Sequence, residues 1–534
     1  MNYQEDITII TTSKEFRRMQ DKTQLFYARK SDHYRTRLTH TLEVCDIALQ
    51  IAEKFRNKCK EKSAEHANDY FYCNNLNDKL ITAIAYGHDI GHTPFGHIGE
   101  RILSNILDGT DNLGGLINTN KILKQCFKHN INSFRILQKI EKNDSRKEKI
   151  SWQTLDGVLK HTKVYKSIAE YKHLKTNEKK DPYQIKKAGS NGVLSGGQPQ
   201  FNSLKNIIVA ETNKKFDYYK HNYALTIEGQ IVALADEIAQ RISDFDDAVR
   251  AGLWKPSMED FILNGKPIKF YDIFNNCIKA LNDDKCSKDN VSKICVNLRE
   301  FLIDHVEFFP DKMDINTFMG EQICLGKCID FDAEGNEANQ IFNQINRDYI
   351  LKCNEIRKCD GISKHVIRQI FKAYYNDFSQ LSDSCINMLY SDLIKRSDSL
   401  INNGKIKSLS LKKEKFNIKD LLNIKDIGKK IIFINAIKNA CLDKVTNFDN
   451  KLGKANNIFS DLLNELTKEK GDVKKNSAND IDFESEWNLR KKWLPELHSI
   501  ILRNIVFFIA GMTDGFTRDE YQRLYSIKMP MNVY

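Results

Sequence analysis

Three histidines and two carboxylates lie within the fourteen residues 87–100, which read Gly-His-Asp-Ile-Gly-His-Thr-Pro-Phe-Gly-His-Ile-Gly-Glu. This segment follows an apolar stretch of helical character, residues 80–85, so part of it is expected to be buried. Buried ionisable groups are costly unless they are paired or bound to a metal. The segment therefore predicts a hydrolytic centre that binds a divalent cation.

A single cation takes about four to six ligands, and the adjacent His88 and Asp89 supply only two. His40 lies near the apolar face of a predicted helix, and Asp236 interrupts the apolar helical run 231–239. Taken singly, such a histidine is more often a hydrogen-bonded core residue, and such an aspartate is usually solvated. Together, the order His40, His88-Asp89, Asp236 on three helices resembles the ligand pattern of HD domains.

Five segments resemble successive signatures of the bacterial dGTPases, which are HD-fold deoxynucleoside triphosphate triphosphohydrolases. They are residues 16–26, 35–40 and 88–100, Glu228-Gly229-Gln230 before Asp236, and Gly511-Met512-Thr513-Asp514. The resemblance spans both ends of the chain but is dense only to about residue 255. The stretch 254–488 carries no motif that we recognise.

The resemblance implies hydrolysis of a dNTP, with dGTP as the leading substrate, between the 5′ oxygen and the α-phosphorus. The products would be a deoxynucleoside and inorganic triphosphate. One divalent metal, Mn, Mg or Co, would be bound by His40, His88, Asp89 and Asp236. It would polarise an α-phosphate oxygen and lower the pKa of bound water.

Two residues are predicted to transfer protons. Glu100 lies one helical turn beyond His97, so its carboxylate can orient the imidazole and raise its basicity. We interpret His97 and Glu100 as the proton-transfer pair. Whether His97 takes a proton from water or gives one to the 5′ oxygen stays open, since both roles need an imidazole of near-neutral pKa.

Two further histidines are candidates. His92 follows His88 by four residues and can contact the α-phosphate or a bridging water, or alternatively bond backbone before Pro94. His129 resembles a second active-site histidine of the family. The match departs from the family pattern at Asn132, where glutamine is expected.

A triphosphate needs cationic partners. Arg37 precedes His40 by three residues on the same helix face, so its guanidinium can bind phosphate as a fork. Lys160 is a second candidate. For both, an ordinary surface ion pair is the alternative.

Three residues are candidates for contacts with the sugar. Gln24 resembles the family glutamine that faces the deoxyribose, and its amide can bind the 3′ hydroxyl. Gln240 and Asp244 follow Asp236 at successive turns of one helix. The family usually has tyrosine where Gln240 stands, and this difference bears on sugar selectivity.

The composition is that of a soluble globular protein. The chain has 534 residues, of which 41% are hydrophobic and 29% charged, enough for one large or two ordinary domains. No basic-then-apolar signal is found in residues 1–19, and the apolar run 500–512 is interrupted by Arg503 and is shorter than a bilayer span. We expect a cytoplasmic protein with no membrane partner.

Thirteen cysteines are scattered singly through helical patterns, so most are expected to be reduced and buried. Cys324, Cys328, Cys353 and Cys359 are the one group that can be assembled into a zinc site, but their spacing fits no common zinc motif. Core packing is the favoured interpretation.

The net charge of +11 comes from many lysines. It reflects either compositional bias, or attraction of polyanionic nucleotides, or a nucleic-acid surface. The Lys-rich stretches 175–180 and 405–415 are predicted to be loops or solvated helix faces.

Apolar spacing is helical nearly everywhere and only eight prolines occur, which predicts an all-α fold, with a small hairpin still possible. We expect an HD-domain helical core over residues 1–255 and an extended helical C-terminal region over 256–534. The last fifty or so residues are expected to pack back on the core. The Gly-rich segment 189–199 is predicted to be a mobile loop that can gate the cleft, and 468–482 a linker.

Two other functional classes compete with a dNTP triphosphohydrolase. One is another HD phosphohydrolase, such as a nucleotidase or a cyclic-nucleotide phosphodiesterase, and the other is a non-catalytic nucleotide or nucleic-acid sensor. The family resemblance further implies a homo-oligomer, possibly a hexamer, with a regulatory nucleotide or single-stranded DNA bound between subunits.

Overall fold

Helices make up most of the residues that the structure describes, with few strands, so the predicted fold class is confirmed. The computed structural model describes residues 2–24, 35–61, 75–118, 122, 125, 127–143, 149–162, 223–253, 262–263, 266–267, 288–313, 315–318, 321–402, 425–442 and 483–526. The predicted gating loop 189–199, the Lys-rich stretches 175–180 and 405–415 and the predicted linker 468–482 lie outside these residues.

Eight helices of the described residues precede the first strand pair. They are α1 (Tyr3–Thr12), α2 (Lys14–Arg18), α3 (Arg37–Glu61), α4 (Asp78–His88), α5 (Gly96–Leu107), α6 (His129–Asn143), α7 (Trp152–Lys160) and α8 (Ile227–Arg250). Seven more follow, namely α9 (Lys288–Asp304), α10 (Ala333–Ile345), α11 (Asn354–Asn376), α12 (Asp383–Asn402), α13 (Ile427–Leu442), α14 (Phe483–Ala510) and α15 (Asp514–Tyr525).

Six short strands form three antiparallel pairs. β1 (Ile262–Leu263) pairs with β2 (Lys266–Pro267), β3 (Val306–Phe308) with β6 (Ile329–Phe331), and β4 (Ile315–Phe318) with β5 (Glu321–Cys324). All three lie in the region without recognised motifs. The sequence left one small hairpin possible, and the described residues contain three small strand pairs.

Capping side chains define where three of the N-terminal helices begin. Asn77, Ser151 and Thr226 accept hydrogen bonds from backbone N–H groups in the first turns of α4, α7 and α8, respectively. Each cap satisfies donors that have no partner within the helix. The caps thus fix the starting points of helices that carry candidate site residues.

The first hydrophobic core is formed largely by α3, α4, α7 and α8. Ile51, Ile81 and Ile231 are completely buried in it. Gly157 on α7 packs against Ile84 on α4, and a Cβ atom at position 157 would lie 2.6 Å from Ile84 Cδ1. Because glycine has no side chain, these two helices approach closely and bring their C-terminal ends together.

A second core joins α5 to the C-terminal helices. Leu103 of α5 is completely buried together with Phe371 of α11, Leu389 of α12 and Ile501 of α14. The helix that carries His97 therefore packs against helices from the region without recognised motifs. Among the described residues no helix is by itself long and apolar enough to cross a membrane, and only the bent pair Pro495–Ala510 and Asp514–Tyr525 passes that test jointly.

The cysteines are reduced in the described part of the chain. Cys324 and Cys328 are buried with their sulfur atoms 3.6 Å apart, whereas Cys353 and Cys359 are only half-buried. No cluster of potential metal ligands among the described residues includes a cysteine. These contacts agree with core packing rather than a zinc site.

Candidate active site and metal centre

Three helices bring His40, His88 and Asp236 together. His40 lies in the first turn of α3, His88 is the last residue of α4, and Asp236 lies midway along α8. His40 Nε2 is 2.9 Å from Asp236 Oδ1, and His88 Nε2 is 3.7 Å from the same oxygen. Both histidines are completely buried, so three potential ligand atoms converge in a site shielded from water.

His88 has an unused nitrogen that points to this site. Its Nδ1 donates to the carbonyl oxygen of Ala85 at 2.6 Å, which leaves Nε2 as the nitrogen that takes up a proton or a metal ion. Nε2 is buried and has no hydrogen-bond partner. Burial lowers the pKa of His88, but the carboxylates of Asp89 and Asp236 outweigh it and raise the pKa to about 9. The site therefore favours positive charge, and its two nitrogens and carboxylate oxygens fit a divalent cation.

Asp89 adjoins the same group. Its Oδ2 is 3.7 Å from His88 Nε2 and accepts a hydrogen bond of 2.6 Å from Arg37 Nη1. Burial alone would raise the pKa of Asp89, but the Arg37 guanidinium holds it well below its usual range. Three of the four residues predicted as ligands, His40, His88 and Asp236, thus have ligand atoms within 4.8 Å of one another, and Asp89 adjoins them through His88. Arg37 is engaged with one of them, while its Nη2 is buried without a partner.

The loop after α4 is fixed by α6. Ser133 Oγ donates to the His88 carbonyl at 2.7 Å and accepts from the Gly91 N–H at 2.9 Å, and Asn132 donates to the Gly91 carbonyl at 2.8 Å. A Cβ atom at position 91 would lie 2.1 Å from the Ser133 nitrogen, so only glycine fits there. Asn132, which departs from the family pattern, supports the loop that follows the His88-Asp89 pair.

A second group of ionisable side chains lies beside the first. The chain reverses through Phe95 and Gly96, both with φ of 59°, and enters α5. The ring centroid of His92 is 4.6 Å from that of His129 and 5.1 Å from that of His97. Both ring nitrogens of His92 are buried and have no hydrogen-bond partner. His92 therefore has two ring nitrogens that no protein group engages.

Glu100 hydrogen-bonds to His129, while a ring nitrogen of His97 lies within 4.8 Å of the Glu100 carboxylate, so the predicted pair is close but not hydrogen-bonded. Its Oε2 accepts from His129 Nδ1 at 2.5 Å and from the His129 backbone N–H at 3.0 Å. The physical reason is that the N-terminus of α6 presents both donors at once, together with its positive dipole end. Burial would raise the pKa of Glu100, but His129 lowers it to about 2, so this carboxylate is ionised.

His97 projects from the first turn of α5 with its side chain exposed on one side. Protein atoms surround its other sides. This burial and the Arg37 guanidinium both lower the pKa of His97 below its ordinary value. The imidazole is therefore neutral at pH 7 and has a lone pair with which to accept a proton.

The sequence analysis missed His161. This residue caps the C-terminal end of α7, and its Nε2 lies 3.1 Å from His129 Nε2. Its ring centroid is 5.1 Å from that of His88. Burial and His88 lower the pKa of His161 to about 3. A single histidine at a helix end does not stand out in sequence, although its position directly after Lys160 was a usable signal.

Lys22 was also missed, because its neighbours are distant in sequence. Its buried Nζ donates to the carbonyl oxygens of His92 and, at 3.2 Å, Ala510. Asp514 accepts from the Phe95 N–H at 2.8 Å and from the Thr23 N–H at 3.1 Å. The Gly511–Asp514 signature therefore acts structurally, by holding the segment that leads into α5.

The two predicted phosphate-binding cations both have carboxylate partners. Lys160 is buried and lies 3.0 Å from Asp156 Oδ1, and Arg37 is paired with Asp89. Both residues therefore form an ion pair, which was the alternative prediction, but they form it inside the protein rather than at its surface. Arg37 keeps one unpartnered nitrogen, so it remains the better candidate for an anion.

The three candidates for sugar contacts differ in their burial and in their hydrogen-bond partners. Gln24 is buried, and its Oε1 has no hydrogen-bond partner. Gln240 is half-buried and accepts a long hydrogen bond of 3.5 Å from Arg241. Asp244 is buried and accepts from Asn346, which belongs to the region without recognised motifs, and burial raises the pKa of Asp244 to about 6.

Comparison with known proteins agrees with this geometry. The model of the HD domain family matches residues 37–240. A protein of Caldanaerobacter subterraneus subsp. tengcongensis named deoxyguanosinetriphosphate triphosphohydrolase-like protein is 32% identical over 255 residues, 48% of each chain. Proteins of the same name from Clostridium tetani and Brucella ovis are 28% identical over 395 residues and 34% identical over 256 residues.

The extent of these matches differs. The Clostridium tetani alignment covers 72% of this chain and 83% of the relative, whereas the Brucella ovis alignment covers 47% and 48%. The chain thus spans about half the length of the first relatives it matches. Residues 37–240 thus match the HD domain, and the chain is similar to deoxyguanosinetriphosphate triphosphohydrolase-like proteins.

Proposed function

We propose that this protein hydrolyses deoxynucleoside triphosphates, with dGTP as the leading substrate, to a deoxynucleoside and inorganic triphosphate. The main support is the convergence of His40, His88, Asp89 and Asp236, with a bare, buried His88 Nε2 among them. The names of the similar proteins point to the same substrate class.

The four converging residues would hold one divalent cation. When bound, the cation would supply Lewis-acid stabilisation of the negative charge that builds up on the α-phosphate. The protein prepares this site by fixing the His88 tautomer through Ala85 and by excluding water around both histidines. A mixed nitrogen and oxygen donor set suits Mn and Co as well as Mg, so the identity of the metal is a matter for experiment.

His97 is the proposed proton carrier. In the reaction water adds to the α-phosphorus, the bond from phosphorus to the 5′ oxygen breaks, and that oxygen gains one proton. A neutral imidazole can accept the proton that water loses and pass it to the 5′ oxygen. His97 suits this role because its imidazole is neutral at pH 7 and its side chain is exposed.

Arg37 and His92 are the proposed anion contacts. A triphosphate carries about four negative charges, and buried donors aimed at it are worth more than exposed ones. Arg37 Nη2 and both ring nitrogens of His92 are buried and unpartnered. Gln24, whose Oε1 is equally unpartnered, is the proposed contact for a sugar hydroxyl.

Product analysis tests the proposal. Purified protein is incubated with each of the four dNTPs and with Mg, Mn or Co, and the products are separated by anion exchange. We expect triphosphate and deoxynucleoside in equal amounts, with dGTP consumed fastest. Release of monophosphate or of a linear nucleotide would instead identify another HD phosphohydrolase. No turnover of any nucleotide with any metal would contradict an enzymatic function.

A further inference from the structure

Two arginines from α6 and α14 lie close together outside the group of site histidines. Arg135 of α6 has the centre of its guanidinium 3.7 Å from the ring centroid of Phe507 on α14. Arg503 lies one turn before Phe507 on the same helix and is only 9% exposed, while Arg135 is half-buried. The packing of α6 against α14 therefore brings two guanidinium groups together where water is partly excluded.

These two charges have one carboxylate between them. Burial, and then the positive charge of Arg503, lower the pKa of Arg135 to about 10, so its guanidinium is still charged at pH 7. Asp392 of α12 is the carboxylate that opposes this effect on both arginines. One carboxylate balances only one guanidinium. Packing alone does not explain the second one, since it raises the cost of burying the first.

Lys139 adds a third cation at the exposed side of the group. It lies one turn after Arg135 on α6, and its Nζ is 3.9 Å from the sulfur of Met388, which is uncharged. Burial and the charge of Arg135 both lower the pKa of Lys139. One cation and one carboxylate of α2 also act on Lys139, so α2 adds no net charge. Three cations and one carboxylate thus leave two positive charges in excess.

The contacts of Arg135 leave one edge of its guanidinium for a ligand. Its Nε donates to Asn132 Oδ1 at 3.2 Å, and one face of the guanidinium lies over the Phe507 ring. Neither Nη atom donates to another described residue, and neither is a fully buried atom, so solvent reaches both. Two parallel N–H donors on one guanidinium match the paired oxygens of a phosphate group.

We propose that Arg135, Lys139 and Arg503 bind a phosphate-type oxyanion, either free phosphate or the phosphate chain of a larger molecule. The Nη edge of Arg135 holds two oxygens, and the other two cations supply charge. The site shares no residue with Arg37 and His92, the proposed contacts of the substrate triphosphate. It does not depend on the proposed function.

Isothermal titration of the full-length protein, stripped of metal with a chelator, tests the site. Inorganic phosphate and inorganic triphosphate are titrated separately. We expect saturable binding of at least one of them. Binding of phosphate would show that the free oxyanion is sufficient, and binding of triphosphate alone would identify a phosphate chain as the ligand. Binding of neither would overturn the proposal.

Variants locate the anion. Arg135→Gln should weaken its binding by at least about 10-fold, the usual cost of losing hydrogen bonds to a charged group. Lys139→Gln, at an exposed position where folding is not at risk, should weaken it by about 2–5-fold. Lys358→Gln, at an exposed position of α11, is the matched control and should bind as the wild type does.

Arg37→Gln separates this site from the candidate active site. It removes a proposed contact of the substrate triphosphate and should leave phosphate binding unchanged. Circular dichroism checks that each variant is folded. Unchanged binding in folded Arg135→Gln and Lys139→Gln would overturn the assignment, and so would loss of binding in folded Arg37→Gln. Phosphate binding by a wild type that hydrolyses no dNTP would contradict the proposed function but support this site.

Discussion

The carboxylate of Glu100 holds His129 by two hydrogen bonds, one to Nδ1 at 2.5 Å and one to the backbone N–H at 3.0 Å. Glu100 is ionised, and it lies at the N-terminus of α6, where the helix dipole also favours negative charge. The ring of His129 is therefore held at its Nδ1 side, and its Nε2 points into the group of site histidines.

Glu100→Gln should lower kcat by about 10–100-fold, the usual cost of losing a supporting carboxylate behind a site histidine. The amide keeps the size of the side chain but removes the charge, so His129 loses its fixed tautomer. Steady-state kinetics with the best dNTP measures the effect. Glu355→Gln, at an exposed position on α11, is the control and should behave as the wild type. Unchanged kcat in Glu100→Gln would show that the pair has only a structural role.

His97→Ala should lower kcat by about 10²–10⁴-fold, the usual contribution of a proton-transferring side chain. The variant should still bind the divalent cation, because His97 is not one of the four predicted ligands. Mn²⁺ titration and single-turnover kinetics on the same preparation separate the two properties. A fully active His97→Ala protein would show that another group carries the proton.

Asp236→Asn should weaken binding of the divalent cation by at least about 10-fold, because it replaces a charged oxygen ligand with a neutral one. Isothermal titration with Mn²⁺ gives the dissociation constant. Glu237→Gln is a matched control on the next residue of α8, since Glu237 bonds Arg241 and not the histidines. Equal affinities in both variants would remove Asp236 from the ligand set.

Asp514→Asn should lower the free energy of unfolding by about 1–3 kcal/mol, the cost of leaving a buried donor without its acceptor. The carboxylate accepts from Phe95 N–H and from both donors of Thr23, whereas an amide offers one acceptor oxygen and a competing donor. Denaturant unfolding measures the loss. Asp519→Asn, on an exposed position of the same helix, should leave stability unchanged.

Asp247 should make stability depend on pH. Burial outweighs the opposing effect of its partner Arg35 and raises the pKa of Asp247 from 3.8 to about 7. Since the folded state holds this proton more tightly, the stabilising contribution is complete below about pH 4 and is lost as the pH rises through 7. Asp247→Asn removes the titration.

The stability of Asp247→Asn relative to the wild type should therefore increase between pH 4 and pH 8, by about 1–3 kcal/mol. Urea unfolding at several pH values across this range measures the difference. Asp304→Asn, at an exposed position of α9, is the control and should show a constant difference. A constant difference in Asp247→Asn as well would contradict the raised pKa.

The residues predicted as metal ligands stand out in the sequence because each of them breaks a local rule. His40 and Asp236 interrupt apolar helical faces, and His88 and Asp89 end an apolar helix, so each residue stands out in its own segment. Helical periodicity also suffices to predict a mostly α-helical fold.

Pairings between segments could not be predicted in the same way. Spacing along α5 suggested that Glu100 serves His97, but the choice of partner depends on where α6 begins in space. His161 and Asn346 owe their positions to the packing of α7 and of the π-helical turn after α10. The sequence around Asn346 holds no sign of its contact, and the sequence around His161 holds only the weak signal of the preceding Lys160.

The bond from Lys22 to the Ala510 carbonyl joins positions 488 residues apart. A ribosome that translates this chain makes residues 37–240, which match the HD domain, long before it makes Ala510 or Asp514. The nascent chain can thus gather its metal ligands early, while the turn that leads into the His97 helix still lacks its last supports. We therefore expect the turn into α5 to gain its last supports only after residues 510–514 have been made.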